Sequence, residues 1–246
     1  MNMGTSTIEE HYEKHLGPIY SWMSGNFDEN CGGLFNLLSQ RGVIPHSTGI
    51  AIDLGAGHGL YTKALALCGY SVIAIDFNQH LLDELKTNTL GWGVHTIKAD
   101  IRQTQLLYRY CPELIVCGGD TISHFESGQE LKVFINGVSG VLKNGNQLLL
   151  SFRDYSRPLY GDSRFIPVKA DENSILTCVL DYESDRVRVT DLLHVKAGGA
   201  WQQKVSSYYK LRNTTSGVEV LLANAGFILQ ECFTVNGMTF ILASKD

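Results

Sequence analysis

The chain has 246 residues, 44% of them hydrophobic, and a formal net charge of −5 at pH 7. This length and composition are enough for a full core in one α/β domain. The negative charge and the scattered lysines and arginines argue against a nucleic-acid partner. No apolar run reaches the length of a membrane span, and residues 1–10 lack the pattern of a signal peptide. We therefore expect a cytoplasmic protein with neither nucleic acid nor membrane as a partner.

An aromatic-rich helical pattern covers residues 7–25 and is interrupted at Gly17-Pro18. Because it precedes the sheet described below, we predict an N-terminal helical arm over residues 1–48. Two interpretations remain open. The arm is either an amphipathic helix packed on the domain or a lid whose side chains cover the ligands. The lid interpretation assigns ligand contacts to four side chains of the arm: His11, Tyr12, Tyr20 and Trp22.

A glycine-rich loop follows the first predicted strand. Residues 50–54 form a short apolar run, residues 55–59 read Gly-Ala-Gly-His-Gly, and a helix is predicted to start near Tyr61. Glycine allows a positive φ and a close approach of a ligand to the backbone. The next apolar run ends at Asp76, which is placed to accept hydrogen bonds from two ribose hydroxyls. The loop and this carboxylate together predict a crevice that binds a nucleoside.

The same layout is compatible with a dinucleotide-binding oxidoreductase or with ordinary turn glycines in a structural domain. Dinucleotide sites use the spacing G-x-G-x-x-G, whereas this loop reads G-x-G-x-G. In addition, Asp53 lies just before the first glycine, where it would repel a pyrophosphate and attract the ammonium group of a methionine moiety. These details favour a nucleoside cofactor with a cationic part.

The chain resembles the class I S-adenosylmethionine-dependent methyltransferases in several segments. These are Asp53-Leu-Gly-Ala-Gly-His-Gly59, Ile75-Asp76-Phe77, Lys98-Ala-Asp-Ile101, residues 114–120 and residues 141–150. The resemblance implies an α/β fold with a Rossmann-like seven-stranded sheet whose last strand is antiparallel. The implied cofactor is S-adenosyl-L-methionine. His58 departs from the small residue common at its position. The resemblance implies cofactor contacts from Tyr20, Trp22, Asp53, Gly55, Ala56, Gly57, Leu60, Asp76, Phe77, Asp100, Ile101, Gly118 and Gly119.

Residues 153–212 interrupt the alternation of strands and helices. Residues 174–182, 186–197 and 201–211 alternate like antiparallel strands with turns between them. We predict an inserted antiparallel β-sheet that roofs the substrate pocket. The Rossmann-like domain then comprises 49–152 and 213–246. This arrangement resembles the glycine and sarcosine N-methyltransferases and the sugar N,N-dimethyltransferases.

These resemblances imply a methyltransferase whose partner is a small-molecule methyl acceptor. N-methylation by in-line transfer is favoured, and an O-methyltransferase or a non-catalytic cofactor-binding protein remain alternatives. A hydroxyl acceptor would need a base such as His124, whereas a neutral amine would not. The catalytic candidates are His124 and Tyr12, and the candidates for substrate binding are His11, Asp120, Arg153 and Tyr209. The six cysteines contain no C-x-x-C pair, so no metal site is predicted. The oligomeric state stays open, a homodimer included.

Overall fold

The computed structural model describes residues 5–246, which form a seven-stranded sheet flanked by helices and a separate four-stranded antiparallel sheet. The strands are β1 Ile50–Leu54, β2 Ser71–Asp76, β3 His95–Lys98, β4 Leu114–Cys117, β5 Gln147–Phe152, β6 Phe165–Ala170, β7 Ser174–Tyr182, β8 Arg186–Ala197, β9 Ala200–Leu211, β10 Phe227–Val235 and β11 Met238–Lys245. The α-helices are α1 Ile8–His11, α2 Tyr20–Ser24, α3 Phe27–Ser39, α4 Leu60–Leu67, α5 Gln79–Asn88, α6 Gly128–Val141 and α7 Thr215–Asn224.

The large sheet has the strand order β10-β11-β5-β4-β1-β2-β3. Its strands run parallel except for β11, which is antiparallel to both β10 and β5. This confirms the predicted Rossmann-like sheet with a reversed last strand. Because β1 pairs with both β2 and β4, the chain order changes direction beside β1. In such sheets the ligand crevice lies at the carboxyl ends of the strands at this switch point.

Helices cover both faces of the large sheet. On one face α6 and α7 bury Ile135 and Val218 against the strands, and on the other face α3 and α4 bury Leu38 and Leu65. Asn26 caps the start of α3, and its side chain accepts hydrogen bonds from two backbone amides of the first turn. The sequence groups α3 with the arm, but its apolar face belongs to the core of the sheet.

The arm is helical, with an irregular middle. A π-helical turn at Tyr12–Leu16 and a 3-10 turn at Gly17–Ile19 lie between α1 and α2. Gly17 is needed at this break because a Cβ there would collide with the carbonyl oxygen of Tyr12. The arm is joined to the inserted sheet by the amide of Ser6, which donates to the carbonyl of Ser207 at 2.8 Å. The predicted interruption therefore exists, and the arm rests on the edge of β9.

The small sheet has the order β6-β7-β8-β9, and every pair is antiparallel. Three of its strands follow the predicted ones, whereas β6 is absent from the sequence prediction. Pro167 interrupts the pattern of β6, and the register shifts between Pro167 and Lys169. Proline is tolerated there because β6 is an edge strand. None of the helices formed by residues 5–246 has the length and apolar character needed to cross a bilayer.

Candidate active site

A cavity of about 610 Å³ lies at the carboxyl ends of β1 and β4, between the large sheet, the arm and β9. Its size falls within the usual range of ligand pockets, about 300–1,000 Å³. Most of the predicted site residues line it: Tyr12, Tyr20, Gly55, Ala56, Gly57, Leu60, Asp76, Phe77, Asp100, Ile101, Gly118, Gly119, His124 and Tyr209.

Two glycines of the loop after β1 have different roles. Gly55 has φ +74°, and a Cβ on it would lie 2.5 Å from Cγ2 of Thr121, so it allows close packing. Gly57 has φ +53°, and the nearest atoms to a Cβ there belong to the Tyr20 ring, 3.9 Å away. The backbone of Gly57 therefore faces open space in the cavity, which a ligand can occupy.

Asp76 holds the loop in place from the end of β2. Its Oδ2 accepts a hydrogen bond from the amide of Gly57 and its Oδ1 from the amide of Asn78, each at 2.8 Å. Burial raises the pKa of Asp76 from its ordinary value. Each carboxylate oxygen has more than one acceptor position, so both can also accept from a ligand in the cavity. This arrangement fits the two hydroxyls of a ribose.

A charged bridge forms another part of the wall. Arg102 Nε donates to Asp100 at 2.7 Å, and Arg102 Nη1 donates to Glu130 at 3.0 Å. Asp100 follows β3 and Glu130 lies in the first turn of α6. The bridge spans two elements of the sheet domain beside Ile101, and the sequence indicates only Asp100 and Ile101 as site residues. Because Asp100 is paired with Arg102, its carboxylate is less available to a ligand than an unpaired carboxylate.

Tyr12 and His124 meet across the cavity. The Tyr12 hydroxyl lies 3.3 Å from His124 Nε2, and the two rings are edge-on with centroids 5.6 Å apart. Burial, with a smaller effect of the Lys210 ammonium, lowers the pKa of His124 to about 3. Burial raises the pKa of Tyr12 far above its ordinary value. At neutral pH this pair is therefore an uncharged imidazole and an uncharged phenol.

Lys210 and Asp120 form an ion pair beside them, and the sequence did not single out this lysine. Lys210 Nζ donates to Asp120 Oδ2 at 2.6 Å, and the side chains are 14% and 5% exposed. Burial acts to raise the pKa of Asp120, but Lys210 and a hydrogen bond from Ser123 hold it below its ordinary value. Burial acts to lower the pKa of Lys210, but Asp120 holds that pKa well above its ordinary value. Both groups are therefore charged at neutral pH.

Two side chains of the arm that the sequence predicts as ligand contacts instead bind the inserted sheet. His11 is fully buried, with Nδ1 2.8 Å from Ser206 Oγ and Nε2 3.2 Å from Asp191 Oδ2. The Trp22 indole donates to Asp171, in the turn between β6 and β7. Neither side chain lines the cavity, because each faces the inserted sheet rather than the glycine loop.

Three further side chains that the sequence predicts as ligand contacts do not line the cavity. Asp53 is 1% exposed and accepts a hydrogen bond from Thr62 of α4, so it faces the helix instead of the cavity. Burial raises its pKa to about 7. Asp120 is occupied by Lys210 and three further donors. Arg153 uses its backbone amide for Asp120, while its exposed side chain approaches the β10–β11 turn.

Tyr61 is a wall residue that sequence reasoning missed. Its ring leaves no room for a Cβ on Gly118, which would lie 2.5 Å from the ring, and its hydroxyl is 2.6 Å from Ser151 Oγ. The sequence signal for Tyr61 was its position directly after Leu60, at the start of α4. For Lys210 the signal was the period-two alternation of β9, which places Tyr208 and Lys210 on one face.

Comparison with known proteins agrees with this geometry. Residues 51–145 match the family described as methyltransferase domain. The cypemycin N-terminal methyltransferase of a Streptomyces species is 24% identical over 143 residues, which are 58% of this chain and 56% of that protein. The match thus spans about half the length of this curated relative.

Solved structures share the fold over nearly the whole chain. The CcbJ methyltransferase from Streptomyces caelestis has a TM-score of 0.76 at 14% identity, covering 95% of this chain and 97% of that chain. An amino pentose methyltransferase from Micromonospora echinaspora, solved with S-adenosylmethionine bound, has a TM-score of 0.67 at 14% identity, covering 100% and 99%.

The fold is that of the Rossmann-like methyltransferases, with a cavity at the carboxyl ends of the central strands. More specifically, residues 51–145 match a methyltransferase domain, and the whole fold is shared with solved methyltransferases, one of which binds S-adenosylmethionine. The cradle at Gly57 and the acceptor positions of Asp76 fit that cofactor.

Proposed function

We propose that this protein transfers the methyl group of S-adenosylmethionine to an amine nitrogen of a small molecule. The observation that carries the proposal is one continuous cavity that has the Gly57–Asp76 cradle in its wall together with Tyr12, His124 and Lys210. The cradle supports binding of the nucleoside. The three side chains supply a polar pocket for an acceptor.

Bound S-adenosylmethionine supplies a methyl group on a positively charged sulfur, so a nitrogen lone pair can form the new N–C bond as the C–S bond breaks. The residues of the chain then have three tasks. Asp76 and the glycine loop orient the cofactor. Tyr12 and His124 position the acceptor. The arm and β9 exclude water from the cavity, so that the bound acceptor is the nucleophile.

The electrostatics of the pocket support nitrogen as the atom that is methylated. With its pKa lowered to about 3, His124 is too weak a base to deprotonate a hydroxyl. Tyr12 is an uncharged phenol, and Asp120 is engaged with Lys210. A neutral amine needs no base before transfer, because its lone pair is already available. The product ammonium can lose its proton after it leaves.

The names of similar proteins agree with this proposal. The curated relative is described as an N-terminal methyltransferase, and one of the solved structures as an amino pentose methyltransferase. A small acceptor also suits the enclosed cavity better than a polymer, since the arm covers one side and β9 another.

The proposal is tested by incubating the purified protein with S-adenosylmethionine labelled on the methyl group and with fractionated small-molecule extracts. We expect S-adenosylhomocysteine to form together with a labelled product whose methyl group is on nitrogen by NMR. A labelled methyl ether would instead identify an O-methyltransferase. Cofactor binding without any labelled product would identify a non-catalytic binding protein.

A further inference from the structure

Lys210 has unused hydrogen-bonding capacity in the wall of the cavity. Among residues 5–246, its ammonium makes one hydrogen bond, to Asp120 Oδ2. An ammonium group carries three donors, so two remain. The side chain is only 14% exposed, so bulk water has little access to it. The cavity that it lines is therefore the place where those donors can find a partner.

A buried ion pair of this kind is weak evidence for a role in stability. Taking a lysine and an aspartate out of water costs several kcal/mol for each ion, and a well-packed apolar pair of similar size is often as stable or more stable. The surroundings are largely aromatic: the Tyr208 ring lies 6.0 Å from Lys210 Nζ, and the Tyr155 hydroxyl donates to the same carboxylate. A charged ammonium group in the wall of a ligand cavity therefore points to recognition of a ligand.

The groups next to Lys210 restrict which ligand atom can bind its free donors. Asp120 has donors on both oxygens and does not line the cavity, so it offers little to a cationic acceptor. Tyr12 and His124 are uncharged at neutral pH. The ammonium of Lys210 repels a protonated amine and attracts an atom with a lone pair.

We propose that Lys210 donates a hydrogen bond to an oxygen atom of the methyl acceptor, so that the acceptor is an amine that also carries a hydroxyl or carboxylate oxygen. This inference rests on the proposed function and names the class of its substrate. Lys210 thereby determines specificity. It selects amines with an oxygen over plain amines.

Three primary amines built on the same cyclohexane ring test this role: cyclohexylamine, 2-aminocyclohexanol and 2-aminocyclohexanecarboxylic acid. Their binding to the protein loaded with S-adenosylhomocysteine is measured by ligand-observed NMR titration. Loss of a hydrogen bond to a charged group is worth about tenfold or more in affinity, so we expect at least one oxygen-bearing amine to bind about tenfold more tightly than cyclohexylamine. If only 2-aminocyclohexanecarboxylic acid is preferred, the partner of Lys210 is a carboxylate. If both oxygen-bearing amines are preferred, the partner is an oxygen atom of either kind.

The variant Lys210→Met removes the donors and should abolish this preference. The double variant Asp120→Asn/Lys210→Met avoids an unpaired buried carboxylate, and unchanged S-adenosylhomocysteine affinity shows that each variant is folded. Lys204→Met, an exposed change on the same strand, is the matched control and should keep the preference. Binding of cyclohexylamine as tight as that of the other two, no binding of either oxygen-bearing amine, or a preference that survives in the double variant would overturn the proposal.

A parallel assay of methyl transfer separates the two proposals. An oxygen preference that depends on Lys210, without N-methylation of any amine, contradicts the proposed function alone. N-methylation of cyclohexylamine as efficient as that of the other two supports the proposed function and contradicts the role of Lys210.

Discussion

The two halves of the cavity are built in different ways. The centre of the cofactor half consists of backbone and strand ends within residues 50–76, with Gly57 and Asp76 joined by a hydrogen bond of 2.8 Å. The acceptor half consists of side chains from three distant segments: Tyr12 from the arm, His124 from the turn after β4 and Lys210 from β9. A backbone cradle can change little without losing its ligand. A pocket of side chains can change its specificity by substitution while the fold stays the same.

This comparison predicts that changes in the cofactor half affect cofactor affinity, whereas changes in the acceptor half affect transfer. The largest effect is expected from Gly57→Val. The branched side chain would fill the cradle and strain a backbone with φ +53°, so cofactor binding should be lost in calorimetry while circular dichroism still reports the native fold. Gly145→Val is the matched control, because Gly145 has φ +83° and no neighbours within 4 Å. Equal loss of binding in both variants would show that strain alone is responsible.

The next largest effect is expected from Asp76→Ala. Removing hydrogen bonds to a charged group should weaken binding of S-adenosylmethionine by about 1.5–3 kcal/mol. The loss includes the anchor of the loop, since Asp76 also accepts from the amide of Gly57. Calorimetry gives the affinity, and Asp83→Ala, at an exposed position on α5, is the control. Unchanged affinity in Asp76→Ala would remove this carboxylate from the cofactor site.

The difference between the halves also explains what the sequence could predict. The strand, the glycine loop and Asp76 follow one another within residues 50–76, so local pattern alone located them. Lys210 was missed because the alternation of β9 gives the face on which the side chain lies but not its neighbours, which depend on where β9 lies relative to β4. Arg153 was misplaced for the same reason: its backbone reaches Asp120 while its side chain leaves toward β11. The missing strand β6 reflects the proline at Pro167.

A smaller effect is expected in the acceptor half. His124→Ala removes the partner of the Tyr12 hydroxyl and should lower the rate of methyl transfer by about tenfold, the scale of one hydrogen bond, while cofactor affinity stays nearly unchanged. The measurement combines single-turnover methyl transfer with calorimetry. His95→Ala, an exposed histidine of β3, should leave both values alone. A loss of cofactor affinity as large as that of Asp76→Ala would contradict the separation of the two halves.

The smallest effect on binding is expected from Asp53→Asn, which instead changes how stability depends on pH. Because burial raises the pKa of Asp53 from 3.8 to about 7, the folded state holds a proton across this window that the unfolded state has lost. Wild-type stability should therefore fall as pH rises from about 4 to 7, by up to about 1.4 kcal/mol per pH unit from this group.

The asparagine variant lacks that penalty and can still accept from Thr62. Its advantage in denaturant unfolding should grow between pH 4 and pH 7 and level off above. A constant difference at all pH values would contradict the burial of a titrating carboxyl group. A large loss of cofactor affinity would instead restore the contact between Asp53 and the methionine ammonium that the sequence predicts.

The most direct test of the account is a crystal structure with S-adenosylhomocysteine bound. The account predicts that both ribose hydroxyls lie within hydrogen-bond distance of the Asp76 carboxylate, about 2.5–3.0 Å for O–H···O contacts. It further predicts that the sulfur atom faces Tyr12 and His124. A ribose bound away from Asp76, or a sulfur atom directed away from this pair, would contradict the claim that one cavity joins the cofactor to the acceptor.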